Sequence, residues 1–318
     1  MHDAAPCFML LGYAILRAVR AIVLTSFSGI DGLELAEVPD PMPGAGEQLI
    51  HVRAASLGPW DLACAGGAFA SAGGSTTFPQ VQGWDFAGET DNGQRVLGFV
   101  AQPWMGVGAL AERIAVPSEI LAALPDALDF TEGSAIPVCA LTARLLLDAA
   151  GVGDGDVVLV TGAAGMVGGF ASQLGVNHGA SIVAAVRDSD ADEARRLGAT
   201  TVVNTGDELE AVIRQEWPDG VNACVDTVGI GAAALECVRD GGSFVTSIPT
   251  AVPEATRGID PQTMQVQPDA ATTAALASQV AASDLTVRVA EVLPLERFRD
   301  GYTRLSRGGS YGKVVLIP

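Results

Sequence analysis

The run Val157-Val-Leu-Val-Thr161 passes directly into Gly162-Ala-Ala-Gly165-Met-Val-Gly168 and then into a segment of helical periodicity. Strand, glycine turn and helix in that order are the parts of a nucleotide-binding βαβ unit. Small residues let the backbone approach a pyrophosphate, and the helix N-terminus offers N–H groups and a favourable dipole. Gly162, Ala163, Ala164, Gly165, Met166, Val167 and Gly168 are therefore candidate cofactor contacts, with a purely structural turn as the alternative. Ala163 stands where the first Gly of G-x-G-x-x-G is expected, so the match is incomplete.

The surrounding pattern extends this unit. After Pro125, a helical stretch Thr131–Ala150, interrupted by Pro137, leads into an alternation of strands and helices. Strands are predicted at Val157–Thr161, Ile182–Val186, Thr201–Asn204, Val221–Asp226 and Ser243–Ile248. Helices are predicted at Met166–His178, Asp190–Leu197 and Glu208–Glu216. Such alternation implies a doubly wound parallel sheet. Residues 250–266 read as a linker or edge segment. Helix Asp269–Ser283, strand Thr286–Val292, helix Leu295–Arg307 and strand Lys313–Ile317 follow. Before Val116 the texture differs. Short apolar runs at Ala21–Leu24, Gln48–Ala54, Arg95–Val100 and Ala111–Val116 are broken by Gly and Pro, as in a β-rich barrel. The fold class is α/β.

Composition narrows the partners. The 318 residues carry 18 Lys+Arg against 37 Asp+Glu, a net charge of −19 that argues against nucleic acid and anionic membranes as partners. Five cysteines without a C-x-x-C pair, and three His without zinc spacing, fit a reducing cytoplasm rather than a disulfide framework or a structural metal site. The apolar run Cys7–Leu16 is too short to span a bilayer, and it lacks the basic flank of a secretion signal. Residues 1–18 thus read as an extension, with Val19 as an alternative start.

Cofactor choice turns on the end of the second strand of the parallel sheet, Val186-Arg187-Asp188. With Val186 at the position where NAD sites place an acid, Arg187 is set to meet a 2′-phosphate, which favours NADPH. The alternative is a solvated Arg187 with Asp188 reading the ribose.

These features, with several others in order, resemble the medium-chain dehydrogenase/reductase superfamily in its zinc-free quinone oxidoreductase-like branch. The carriers are Ala54-Ala-Ser-Leu-Gly-Pro-Trp-Asp61, Phe78-Pro-Gln-Val-Gln-Gly-Trp-Asp-Phe-Ala-Gly88 and Gly108-Ala-Leu-Ala-Glu112. Ala135-Ile-Pro-Val-Cys-Ala-Leu-Thr-Ala143, Val225-Asp-Thr-Val-Gly229 and Gly312-Lys-Val-Val-Leu316 continue the match. The resemblance implies a GroES-like β-rich catalytic domain from residues 19–130 and 270–318, enclosing a Rossmann domain over residues 131–269. It also implies a homodimer joined through the sheet edge near Ser243–Val252. Thr142, Ser247 and Ile248 would border the nicotinamide, Asp226 and Val228 the adenosine ribose, and Lys313 the cleft.

Departures bear on the chemistry. Where zinc-dependent relatives hold a catalytic Cys and Gly-His-Glu, this chain has Gly58 and Gly83-Trp84-Asp85. Gly58 also replaces an Asn common in quinone reductases, and Ala63 a Tyr. The implied activity is zinc-independent hydride transfer to a quinone or an α,β-unsaturated carbonyl. A tailoring enoyl reductase for a polyketide-type ring and a non-catalytic nucleotide-binding relative are the alternatives. Asp61 is the one titratable group of its motif and a candidate proton donor. Against that, Asp61 can be ionised and bonded to backbone or an arginine, with water as the donor. Trp60 and Trp104, with Gly58, are candidates for a flat substrate wall.

Overall fold

The computed structural model describes residues 18–206 and 208–318. The apolar run Cys7–Leu16 lies outside them. Among the described residues no helix is long and apolar enough to cross a membrane.

The first part of the chain is built of short strands: β1 (Ala18–Leu24), β2 (Leu33–Pro39) and the long β3 (Glu47–Leu57), followed by helix α1 (Pro59–Ala65). Next come β4 (Gln80–Val81), β5 (Asp85–Thr90), β6 (Arg95–Phe99), α2 (Gln102–Met105), β7 (Arg113–Pro117) and β8 (Ala122–Ala123). Helices α3 (Phe130–Ser134) and α4 (Pro137–Ala150) lead to the alternating part. That part contains β9 (Val157–Thr161), α5 (Met166–Asn177), β10 (Ser181–Val186), α6 (Ala191–Arg196), β11 (Thr201–Asn204) and α7 (Leu209–Glu216). It continues through β12 (Val221–Asp226), α8 (Ala232–Leu235), β13 (Val238–Thr246), β14 (Gln262–Thr263) and α9 (Ala270–Ala281). The chain closes with β15 (Val289–Pro294), α10 (Phe298–Arg307) and β16 (Lys313–Ile317).

Strands β11-β10-β9-β12-β13-β14 form one parallel sheet. Strands β15-β16-β3-β5-β6-β8 form a second sheet that returns the C-terminus to the early strands, and β7 pairs with β3. The fold class read from the sequence is therefore observed: mixed α/β, with an antiparallel region and a six-stranded parallel sheet.

Local chemistry accounts for the element ends. The stretch expected as one helix is two, because Pro137 has no N–H and its ring opposes a continuing helix. Pro137 instead opens α4, while Asp129 and Glu132 close a capping box on α3. Strand β13 is longer than expected and starts at Val238, with an irregularity in its pairing to β12. It is also not the free edge expected at Ser243–Val252: β14 covers it at Val245 and Thr246. Residues 250–266 do supply an edge, as the two-residue β14.

Helix α10 packs on the antiparallel sheet through Tyr302, which is fully buried while its hydroxyl makes no hydrogen bond among the described residues. A buried hydroxyl without a partner opposes folding by about 1–3 kcal/mol. Tyr302→Phe is therefore expected to leave stability unchanged or raise it by about 1 kcal/mol in urea denaturation. A loss larger than that would mean that the hydroxyl is bonded in solution.

Candidate functional site

Three turns meet beside the parallel sheet's β9. Gly162 adopts a positive φ of 64°, and a Cβ there would lie 2.4 Å from Val228 Cγ1. A Cβ on Gly168 would lie 2.3 Å from Gly162 O, so the helix meets the strand end at backbone contact. Gly165 is the N-cap of α5, whose first-turn N–H groups have no intrahelical acceptor. Ala163 and Ala164 are buried, and their small side chains keep the turn close to the sheet. Gly162 through Gly168 thus form a cradle that side chains leave open, which fits a bound diphosphate.

Asp226 ends β12 under this cradle. It is fully buried, with Oδ1 accepting from Gly229 N at 2.9 Å and from Thr161 Oγ1 at 2.5 Å, and Oδ2 accepting from Gly231 N at 2.8 Å. Its carboxylate is committed to shaping the loop after β12, and that loop presents Val228, which is exposed. Thr246 Oγ1 accepts from Ile248 N at 3.1 Å, and Ser247 N donates to Asp226 O at 3.2 Å. The same residue thereby braces both the Val228 and the Ser247–Ile248 segments. Thr142 is buried on α4.

At the end of β10, Arg187 Nε donates to Asp190 Oδ2 at 2.8 Å, while the side chain is 65% exposed. Among the described residues the terminal guanidinium nitrogens have no partner. Asp188 points elsewhere, accepting from Asn204 Nδ2 at 2.7 Å. Tyr311 also donates to Asp190, at 2.8 Å, reaching over from the segment before β16.

A second cluster forms where β3 ends. Val314 lies opposite Leu57 and Ser56 opposite Asp85, so the starts of β16 and β5 converge on the entry to α1. Lys313 Nζ donates to Asp85 Oδ2 at 3.1 Å and lies 4.3 Å from the centre of the Trp60 ring. Asp85 Oδ1 accepts from Val138 N at 2.8 Å. Burial, the largest single influence, works to lower the Lys313 ammonium, but Asp85, Cys139 and Asp61 together outweigh it and hold the group above its usual value. The pair was not expected from the sequence, since Asp85 and Lys313 are 228 residues apart.

Gly58 and Trp60 are one feature. A Cβ on Gly58 would lie 2.3 Å from Trp60 Cε2 and Cζ2, so the indole fills the space a larger residue would use. The expected flat wall is not present. Trp60 and Trp104 each pack against Trp84, tilted by 52° and 87°, and so flank it from different directions. Trp84 is buried in the core. Trp104 Nε1 donates to Ala72 O at 3.1 Å, and beside it a groove of about 770 Å³ runs between Met105, Ile120 and residues 267–271.

Of the two partners expected for Asp61, backbone or an arginine, the structure has the backbone one. Among the described residues no arginine pairs with it; its Oδ2 accepts from Gly58 N at 2.7 Å and Oδ1 is buried without a partner. Burial pushes its carboxyl up to about 7, and the Gly58 N–H and Lys313 only partly offset that. Cys64 and Cys139 are buried, with thiols pushed by burial up to about 12 and about 11, so they pack rather than attack. Among the described residues no three His, Cys, Asp or Glu stand where they could share a metal ion.

A family model described as zinc-binding dehydrogenase matches residues 197–316. A zinc-type alcohol dehydrogenase-like protein of Schizosaccharomyces pombe is 31% identical over 225 residues, which are 68% of this chain and 65% of that protein. The chain therefore spans just under two thirds of that relative. The chloroplastic NADPH-dependent alkenal/one oxidoreductase of Arabidopsis thaliana is 26% identical over 322 residues, covering 95% of this chain and 80% of the relative. Among solved structures, the quinone oxidoreductase from Coxiella burnetii superposes with a TM-score of 0.85 at 25% identity, over 95% of this chain and all of that one.

The raised Asp61 carboxyl has a sign that can be checked. Its folded value of about 7 lies above the ordinary 3.8, so its contribution to stability is complete below pH 3.8 and is lost as pH rises through 7. Asp61→Asn keeps an acceptor for Gly58 N and cannot ionise. Relative to wild type, this variant is expected to gain about 2 kcal/mol of unfolding free energy between pH 5 and pH 8. A difference that stays constant across that range would place the Asp61 value near 3.8 instead.

Proposed function

The chain belongs to the medium-chain dehydrogenase/reductase superfamily, and on that premise we propose that it is a zinc-independent, NADPH-dependent reductase of quinones or α,β-unsaturated carbonyls. The observation that carries this reading is the open cradle at Gly162–Gly168 beside an Arg187 pinned through Nε, its outer fork left for a phosphate. A bidentate guanidinium suits a 2′-phosphate, whereas an NAD site would need a free carboxylate there. Asp188 and Asp190 are both already bonded to neighbours.

Bound NADPH would supply the hydride. The chain would hold the cofactor's diphosphate at Gly162, Ala163, Ala164, Gly165, Met166, Val167 and Gly168, and its adenosine side beside Arg187 and the Asp226-braced Val228. Thr142, Ser247, Ile248 and Lys313 would border the nicotinamide end. A substrate would lie near Gly58, Trp60 and Trp104. A hydride delivered to a carbon activated by conjugation leaves an enolate or hydroquinone oxygen that needs one proton. Asp61 would hold that proton on Oδ1, because Oδ2 is engaged by Gly58 N. Zinc independence draws support from the positions that would carry ligands. Gly58 and Trp84 have no donor for a metal, and Asp85 is paired with Lys313.

The similar proteins named for quinone and alkenal/one substrates support the acceptor class. The test is a titration of NADPH and NADH against tryptophan fluorescence, followed by turnover with one quinone and one cyclic enone. NADPH is expected to bind at least tenfold more tightly than NADH, and Arg187→Ala to erase that preference with little change for NADH. Equal binding of the two cofactors by the wild type would overturn the NADPH assignment. Tight binding with no turnover of any quinone or enone would overturn the reductase assignment.

A further inference from the structure

Arg288 leads into β15, on the side of the molecule that carries the antiparallel sheet, yet its guanidinium is fastened to the parallel-sheet side. One terminal nitrogen donates to Ala164 O at 2.9 Å and to Glu193 Oε1 at 2.6 Å; the other donates to Gly165 O at 2.6 Å. Its side chain is only 9% exposed. A Cβ on Gly169 would lie 2.7 Å from this guanidinium, so the absence of a side chain there gives it room against α5.

The placement is electrostatically costly by itself. The start of α5 already carries positive partial charge, and an added cation there is unfavourable unless an anion joins it. Glu193 supplies one balancing charge, but it is shared with Arg196. A second anion is what the two cations and the helix terminus would hold. The backbone gives the arrangement its direction: Lys313 N donates to Arg288 O at 2.9 Å. Two cations thus leave one point of the β15–β16 pair, Lys313 toward Asp85 and Trp60 and Arg288 toward the glycine turn.

We propose that Arg288 is a positioning residue for the cofactor diphosphate. It fixes the carbonyls of Ala164 and Gly165, holding the turn that Gly165 N closes onto Gly162 O at 2.8 Å; across the planar peptide the Met166 N–H then points away from Arg288, and the guanidinium adds a permanent positive charge beneath the phosphates. This rests on the dinucleotide reading of the turn given above. The diphosphate is common to NADPH and NADH, so Arg288 acts on both alike, unlike Arg187.

The test is the dissociation constant of NADPH and of NADH, by fluorescence, for wild type, Arg288→Lys and Arg288→Gln. Lysine keeps the charge and loses the fork; glutamine keeps a donor and loses the charge. Arg288→Gln is expected to weaken both cofactors about tenfold and to the same degree, and Arg288→Lys to return within about threefold of wild type. Unchanged binding by Arg288→Gln, a loss confined to NADPH, or recovery by glutamine and not lysine would each overturn the role. Should circular dichroism show Arg288→Gln unfolded, Glu193→Gln decides. Without that counter-charge both cofactors are expected to bind severalfold more tightly, and unchanged or weaker binding contradicts the proposal. The wild-type titration separately reports whether the dinucleotide reading itself fails, since then neither cofactor binds.

Discussion

The contact between Gly168 and the carbonyl of Gly162 is the constraint on which the rest of the site depends. A side chain at Gly168 would occupy the position of the Gly162 backbone, so α5 reaches β9 only because none is there. That close approach sets the direction in which the first turn of α5 points its N–H groups. It also fixes where the turn's carbonyls fall, and Arg288 takes two of them from the other side. Asp226 bonds Thr161 below the turn and thereby ties the β12 loop to the same point. Neighbouring parts of the cleft are thus built outward from one backbone contact.

The second centre works by charge rather than by close packing. Lys313 and Asp85 are both buried, and an ion pair taken out of water is tolerated only when its remaining polar atoms are satisfied. Val138 N and the face of Trp60 provide that. Loss of one partner would leave the other charge stranded, so the start of β16 is held against the start of β5. Trp60 completes the arrangement by filling the volume beside Gly58. The polar side chain that the superfamily resemblance leads one to expect at position 58 has no room here, because the indole stands in its place.

Much of this was legible in the sequence for a physical reason. Strand β9, the turn and α5 are local, and a run of β-branched residues ending in small ones admits few backbone paths. Strands β11, β12 and β16 were also read with the bounds the structure has. Most of the misreadings depend on partners distant along the chain. The Thr131–Ala150 helix is the exception, since it divides at Pro137 for the local reason that proline opens a helix more readily than it continues one. The burial of Asp61 comes from α1 packing against α10, and the tilt of Trp60 and Trp104 from Trp84 between them. Arg288 and Glu193 are 95 residues apart and carry no motif. Only their shared proximity to Gly165 identifies them.

The most direct test of the account follows the hydride itself. NADPH deuterated at the transferable position of the nicotinamide is incubated with a cyclic enone in ordinary water, and the product is analysed by mass spectrometry and NMR. The account predicts one deuterium on the carbon β to the carbonyl and a solvent-derived proton on the α carbon, with the carbonyl intact. Deuterium on the carbonyl carbon, giving an allylic alcohol, would contradict conjugate reduction, and unlabelled product or none would contradict hydride transfer from this cofactor altogether.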